Sequence, residues 1–150
     1  MRMGLTALLI LFTVLHSGLA KPHSVDFKRV YFPEGKPGRD ESSKDLAFIL
    51  DDEQMKNLMQ ILAALKERPD LGAKVLGFAD EKECSTSECP DLSLRRAKAV
   101  FDWLLGHGLP VRQIKGPEGL STNWPLYGGA TSRERRFNRR VDFEPFTISE

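Results

Sequence analysis

Asp80, Cys84, Cys89, Arg95 and Arg96 fall within one stretch, GFADEKECSTSECPDLSLRRAKAV, residues 77–100. An acid stands at the entrance of a polar loop and a pair of arginines at its exit. If the loop ends come together, Asp80 accepts hydrogen bonds from an ammonium and an arginine fork grips a neighbouring carboxylate, so the two hold a zwitterion. The other reading of the same spacing is a direct Asp80–Arg96 salt bridge across the loop. Acid–base or nucleophilic catalysis needs a second group in register, and no further carboxylate, serine or histidine has a clear catalytic relation to Asp80.

The two arginines are not equivalent if they open a helix. Each residue turns about 100° around the axis. With Ala97 at the middle of the buried face, Arg95 points to solvent, and Arg96 lies on the flank together with Trp103. Arg96 is also in the first turn, beside backbone N–H groups that lack helical partners.

Cys84 and Cys89 are the whole cysteine inventory. They lead as a staple of the loop, with free thiols as the other reading. A metal site needs more ligands than two thiols, and the spacing is not Cys-x-x-Cys.

The elements that must position these groups follow from periodicity. VDFKRVYF alternates and reads as a first strand, and PEGKPGRDESSKD as a loop. LAFIL is a short strand or a packed lead-in. Asp51 opens a helix, with Gln54 completing a capping-box pattern. Met55, Leu58, Met59, Leu62 and Leu65 make its apolar face, which assigns both methionines to the core, and Pro69 bounds it. AKVLGFAD is a central strand. Ser93 or Asp91 caps the next helix. Ala97, Val100, Phe101, Leu104 and Leu105 form its buried side, Gly106, Gly108 and Pro110 end it, and His107 belongs to its terminus. VRQIKGPEG is a strand, LSTNWPLYGGATS an irregular connection, SRERRF a short helix and RRVDFEPF a closing strand. The order strand, helix, strand, helix, strand, strand gives two helices on one side of a small sheet, a two-layer α/β sandwich.

The first twenty residues, MRMGLTALLILFTVLHSGLA, place an arginine before an apolar run and small residues at Gly18 and Ala20. This reads as a secretory signal peptide, residues 1–20, because the run is short for a membrane span. Residues 21–150 then form one exported domain with no transmembrane segment and no lipid-anchor cysteine. Export also places the cysteines where disulfides persist. With 22 Lys and Arg against 21 Asp and Glu, the chain is not basic enough to suggest nucleic acid. The Arg133–Arg140 cluster lacks the aromatic interleaving of a single-strand binder.

GFAD, LSLRRAKAV and NRRVDF together resemble the OmpA-like domain, the periplasmic peptidoglycan-binding module, over about residues 25–145. The resemblance implies a β-α-β-α-β-β domain with a mixed sheet. It implies non-covalent, non-enzymatic binding of diaminopimelate in the peptidoglycan stem peptide, without cofactor or metal. On this reading Asp80 takes the ammonium, and Arg96 with the backbone amides of Leu92 and Ser93 takes the carboxylate. Asn138, Arg139 and Arg140 wall the pocket and clamp the end strand. The chain departs from the pattern at Phe78 and Ala79, where the family has histidine and threonine. It departs again at Cys89, where the family has asparagine, while the family's loop glycine falls near Cys84. A cystine then replaces the hydrogen bonds that fix the loop. The alternative function is a periplasmic protein-interaction or envelope-assembly module, with residues 33–45 and Trp124 as contacts.

Overall fold

The computed structural model describes residues 25–85 and 89–148, so the expected signal peptide and the side chain of Cys89 lie outside the described residues. The chain forms β1 (Val30–Tyr31), α1 (Leu46–Ile49), α2 (Asp52–Glu67), β2 (Leu71–Gly77), α3 (Cys89–Gly106), β3 (Ile114–Gly119), α4 (Ser132–Asn138) and β4 (Arg140–Thr147). The sheet order is β1-β4-β2-β3. β2 runs parallel to β3, and β4 is antiparallel to both β1 and β2. The mixed sheet and two-layer α/β class expected from the sequence are therefore present.

The strands alternate as their sequences require. Ala73, Val75, Val141 and Phe143 enter the core, where they meet Leu58, Ile61 and Leu65 of α2 and Ala97, Val100 and Leu104 of α3. On the opposite face Lys74 pairs with Glu118 at 2.9 Å.

Several local expectations need correction. The first strand is only two residues long, because only Val30 and Tyr31 find partners on β4. Of the two readings of LAFIL, the packed lead-in holds: it is a helical turn that buries Leu46 and Ile49, and not a strand. Asp51 does cap α2 through Gln54 N at 2.9 Å. The box is not reciprocal, however: the Gln54 side chain accepts from Tyr31 N at 2.9 Å and ties α2 to β1 instead. Met59 is 53% exposed, and Ile61 takes the buried position. α3 begins at Cys89, which leaves Asp91 within its first turn and Ser93 inside the helix, so neither is the cap. A reciprocal box forms at Thr131 and Glu134, at the start of α4.

The end of α3 follows the sequence. His107 N and Leu109 N donate to Trp103 O and Leu104 O, and Gly108 takes the left-handed conformation that closes the helix. The His107 ring stacks on Trp103 at 3.8 Å, as a terminus residue.

One glycine sets the approach of α3 to the sheet. A Cβ on Gly77 would stand 2.0 Å from Ser93 O. The last residue of β2 therefore lies directly under the first turns of α3, and this contact brings Asp80 and Arg96 into one neighbourhood.

Candidate functional site

Beyond β2 the chain stays pinned. Phe78 N donates to Arg140 O and Ala79 N to Ser121 O, each at 2.8 Å. Asp80 follows and turns the chain: its Oδ1 accepts from Lys82 N at 2.8 Å and Glu83 N at 3.0 Å, the Asx pattern that favours aspartate in turns. Its Oδ2 accepts from Arg139 Nη1 at 2.9 Å, and the side chain is wholly buried.

Arg96 is also wholly buried, and all five of its guanidinium N–H groups are used. Nε donates to Lys36 O at 2.8 Å, Nη1 to Phe78 O at 2.9 Å and Nη2 to Pro33 O at 3.2 Å. The remaining two donors meet the Glu83 carboxylate, Nη1 to Oε2 at 2.8 Å and Nη2 to Oε1 at 2.6 Å. Two backbone amides complete this cradle. Gly35 N donates to Glu83 Oε1 at 2.8 Å and Asp80 N to Oε2 at 3.1 Å.

Neither reading of the loop spacing describes this arrangement. Among the described residues Asp80 and Arg96 do not pair with each other, and they do not face each other across an open gap. Asp80 takes Arg139, and Arg96 takes Glu83. Arg95 is not fully solvent-facing either: it is half-buried, with Nε on Pro37 O at 3.1 Å. The loop after β1 thus supplies carbonyls to both arginines. The loop carries its own ion pairs, Lys36 with Glu41 at 2.6 Å and Lys82 with Glu34 at 2.9 Å. The Lys36 hydrogen bond holds the Glu41 carboxyl below the usual carboxylate range, and the Lys82 hydrogen bond does the same for Glu34.

The remaining expected site residues divide. Leu92 and Ser93 are buried in α3, and because that helix begins at Cys89, Arg96 lies two turns into it and not in its first turn as expected. Ser93 Oγ donates to Pro90 O and accepts from Ser121 N, so it fastens the chain after β3 to α3. Asn138 holds the same long connection further on: its Oδ1 accepts from Leu126 N and Tyr127 N, and its Nδ2 donates to Tyr127 O. Of the two arginines, Arg139 reaches the cluster. Arg140 instead contacts Asp142 and Trp124 O, with its guanidinium 3.9 Å from the Phe78 ring centre. Burial pulls the Arg140 guanidinium below its ordinary value, against the opposing pull of Asp142. Phe78, which stands where the resemblance has a histidine, is thus a buried platform for Arg140.

Glu83 is the member of the cluster that the residue pattern did not single out. The signal was the requirement itself: a buried arginine needs an anionic acceptor. The loop offers Glu81, Glu83 and Glu88, and only the fold decides among them. Cys89 opens α3 with its side chain outside the described residues, so the Cys84–Cys89 pairing is a proposal. A cavity of about 270 Å³ borders the cluster on the Arg139 side, lined by Phe32, Pro33, Asp51, Glu53 and Arg136 among others. Among the described residues no His, Cys, Asp and Glu group is arranged to hold a metal, and no helix is long and apolar enough to cross a membrane.

The sequence matches the model of the OmpA family over residues 44–139, well over half of the chain. The peptidoglycan-associated lipoprotein from Burkholderia pseudomallei is similar in structure, with a TM-score of 0.61 at 26% identity over 79% of this chain and 89% of that one. The C-terminal domain of Helicobacter pylori MotB shares the fold, with a TM-score of 0.58 at 19% identity over 82% and 85% of the two chains. The cell wall anchor of the T6SS from Pseudomonas aeruginosa gives a TM-score of 0.51 at 26% identity over 67% and 71%. No curated protein matches the chain.

Proposed function

The chain belongs to the OmpA family, and from that premise we propose that it is a non-enzymatic, periplasmic module that binds peptidoglycan. The ligand is the diaminopimelate end of the stem peptide, an ammonium and a carboxylate on one carbon. The similar structures include a peptidoglycan-associated lipoprotein and a cell wall anchor, which supports the wall as the ligand class.

One observation carries the reading. The Arg96 fork and the backbone amides of Gly35 and Asp80 converge on a carboxylate, that of Glu83. Donors converging on one carboxylate support a ligand carboxylate at the same place. Asp80 lies beside it as the acceptor for the ammonium, which competes there with the Arg139 guanidinium that now donates to Asp80 Oδ2. Leu92 and Ser93 serve as the packed floor of the first turns of α3, and Asn138 and Arg140 hold the surrounding chain.

The test uses insoluble walls. Mature protein is sedimented with diaminopimelate-type peptidoglycan, with lysine-type peptidoglycan and with walls whose diaminopimelate carboxylate is amidated. Retention only on the first, released by free diaminopimelate, is expected. Equal retention on all three removes the Arg96 site from the binding.

A second reading has its own observation. Trp124 is 70% exposed, Tyr127 49% and Leu126 36% on the connection between β3 and α4. Exposed aromatic groups of this kind suit a protein contact in envelope assembly. Substitution of Trp124 and Tyr127 by serine leaves wall sedimentation unchanged if the wall is the ligand.

The Cys84–Cys89 pairing is part of the proposal. Its loop is short, so its stabilisation is modest, about 2 kcal/mol from chain entropy. Non-reducing peptide mapping tests it, and full reduction is expected to lower ligand affinity more than stability.

A further inference from the structure

The cradle that Arg96 forms is already filled, and its occupant is part of the same chain. Both Glu83 oxygens are satisfied, each by one Arg96 N–H and one backbone N–H. The donors come from three separate places: the loop after β1, the end of β2, and α3. Arg96 is aimed independently of Glu83, because Lys36 O, Phe78 O and Pro33 O hold its other three N–H groups. The fork therefore stays in position when the Glu83 side chain leaves. What departs is a single carboxylate on a rotatable side chain, in the short 3-10 turn Glu83–Ser85.

We propose that Glu83 is the specificity-determining residue of this site: its carboxylate stands where the ligand carboxylate binds, so a ligand enters only by exchange. The identity of that ligand as diaminopimelate rests on the function proposed above; the exchange itself does not. The physical basis is competition inside one molecule. A tethered carboxylate acts at high effective concentration, and a ligand sees only the fraction of molecules whose cradle is vacated. Simple monocarboxylates are refused at ordinary concentrations. A ligand must add further contacts, such as an ammonium beside Asp80, to displace Glu83.

The experiment compares wild type with Glu83→Ala, Glu83→Gln and, as control, Glu81→Ala on the exposed side of the same loop. The probes are acetate and meso-diaminopimelate, with chloride at matched ionic strength. Thermal midpoint, and the amide resonance of Gly35 with the Nε–H resonance of Arg96, are followed during titration. Glu83→Ala is expected to melt below wild type and to be restored by acetate and diaminopimelate, but not by chloride. Its affinity for diaminopimelate rises on the order of tenfold over wild type, as follows if Glu83 vacates the cradle in about a tenth of molecules or fewer. Glu81→Ala behaves as wild type. If Glu83→Ala does not fold without added carboxylate, Glu83→Gln, whose uncharged amide holds the cradle more weakly than a carboxylate, gives the affinity comparison.

Carboxylates that do no more than chloride in either Glu83 variant overturn the proposal. So does an affinity in Glu83→Ala no higher than in wild type. A Glu83→Ala cradle that takes diaminopimelate, while neither protein sediments with the wall, supports the exchange and ends the wall-binding reading. A higher diaminopimelate affinity in Glu83→Ala together with wall sedimentation equal to wild type supports the exchange and assigns wall binding to another surface.

Discussion

Arg96 and Glu83 meet side-on, Nη1 to Oε2 at 2.8 Å and Nη2 to Oε1 at 2.6 Å, with side chains 0% and 3% exposed. Burial of two charges is costly, and their attraction offsets that cost only when the remaining donors and acceptors are also satisfied. Here they are. Three carbonyls complete Arg96, two amides complete Glu83, and no described buried side-chain N or O atom lacks a hydrogen-bond partner.

Arg96→Lys tests that completeness. An ammonium is a compact charge with three donors and cannot reproduce a planar fork that reaches five acceptors. The variant is expected to lose on the order of 2–3 kcal/mol, because buried acceptors are left without a donor. Urea unfolding reads this as a fall in midpoint at unchanged slope. A loss in the range of exposed pairs, about 1 kcal/mol or less, contradicts the burial argument.

Asp80→Asn separates the two jobs of Asp80. The amide oxygen still accepts from Lys82 N and Glu83 N, but the charge facing Arg139 is gone. A charge-assisted hydrogen bond of this kind contributes about 1.5–3 kcal/mol. A double-mutant cycle with Arg139→Gln is expected to return coupling of about 1 kcal/mol or more; additivity means that the pair is not coupled.

Gly77→Ala probes the contact that brings α3 to the end of β2. The new Cβ meets Ser93 O at 2.0 Å and Ala97 N at 3.0 Å, and both are backbone atoms that cannot rotate away. The cost is at least the 1–3 kcal/mol typical of overpacking, roughly. Gly106→Ala is the counterpart, since nothing lies within 4 Å of its added Cβ, and it is expected to gain up to about 1 kcal/mol from helix propensity. Similar melting of the two variants contradicts this packing account.

Acid should loosen the loop after β1 before it unfolds the sheet. The Glu41 carboxyl lies below its ordinary value chiefly through Lys36, and the Glu34 carboxyl chiefly through Lys82. A carboxyl whose folded value is depressed stabilises above its unfolded value, and that contribution is lost as pH falls through the folded one. The window thus begins near the ordinary value of 4.5 and extends downward. Amide exchange at Gly35 and Gly38, measured across it and corrected for intrinsic rates, is expected to accelerate ahead of exchange at Val75. Simultaneous loss of protection at all three contradicts a local effect.

Much of the fold was legible because its signals are local. Asp51 before an apolar face, Gly108 after one, and Val141 alternating with Asp142 each act within a few residues. Where a local rule failed, a distant group had intervened. Gln54 gave up its capping box for Tyr31 N on β1. Ser93 gave up its cap because α3 begins four residues earlier, and it took Pro90 O and Ser121 N instead.

The sequence alone determined the element order and the two-layer arrangement, and set Asp80 and Arg96 at the two ends of one loop with Arg96 on the flank of its helix. Tertiary structure alone decided which partner each charge takes. Arg96 is satisfied by groups 13 to 63 residues away, and Asp80 by an arginine 59 residues away. A helical wheel reports the direction of a guanidinium, but not which carboxylate will be waiting there. Glu83 fills that position because the β1 loop, the end of β2 and α3 close around one point, and a buried fork requires an anion at that point.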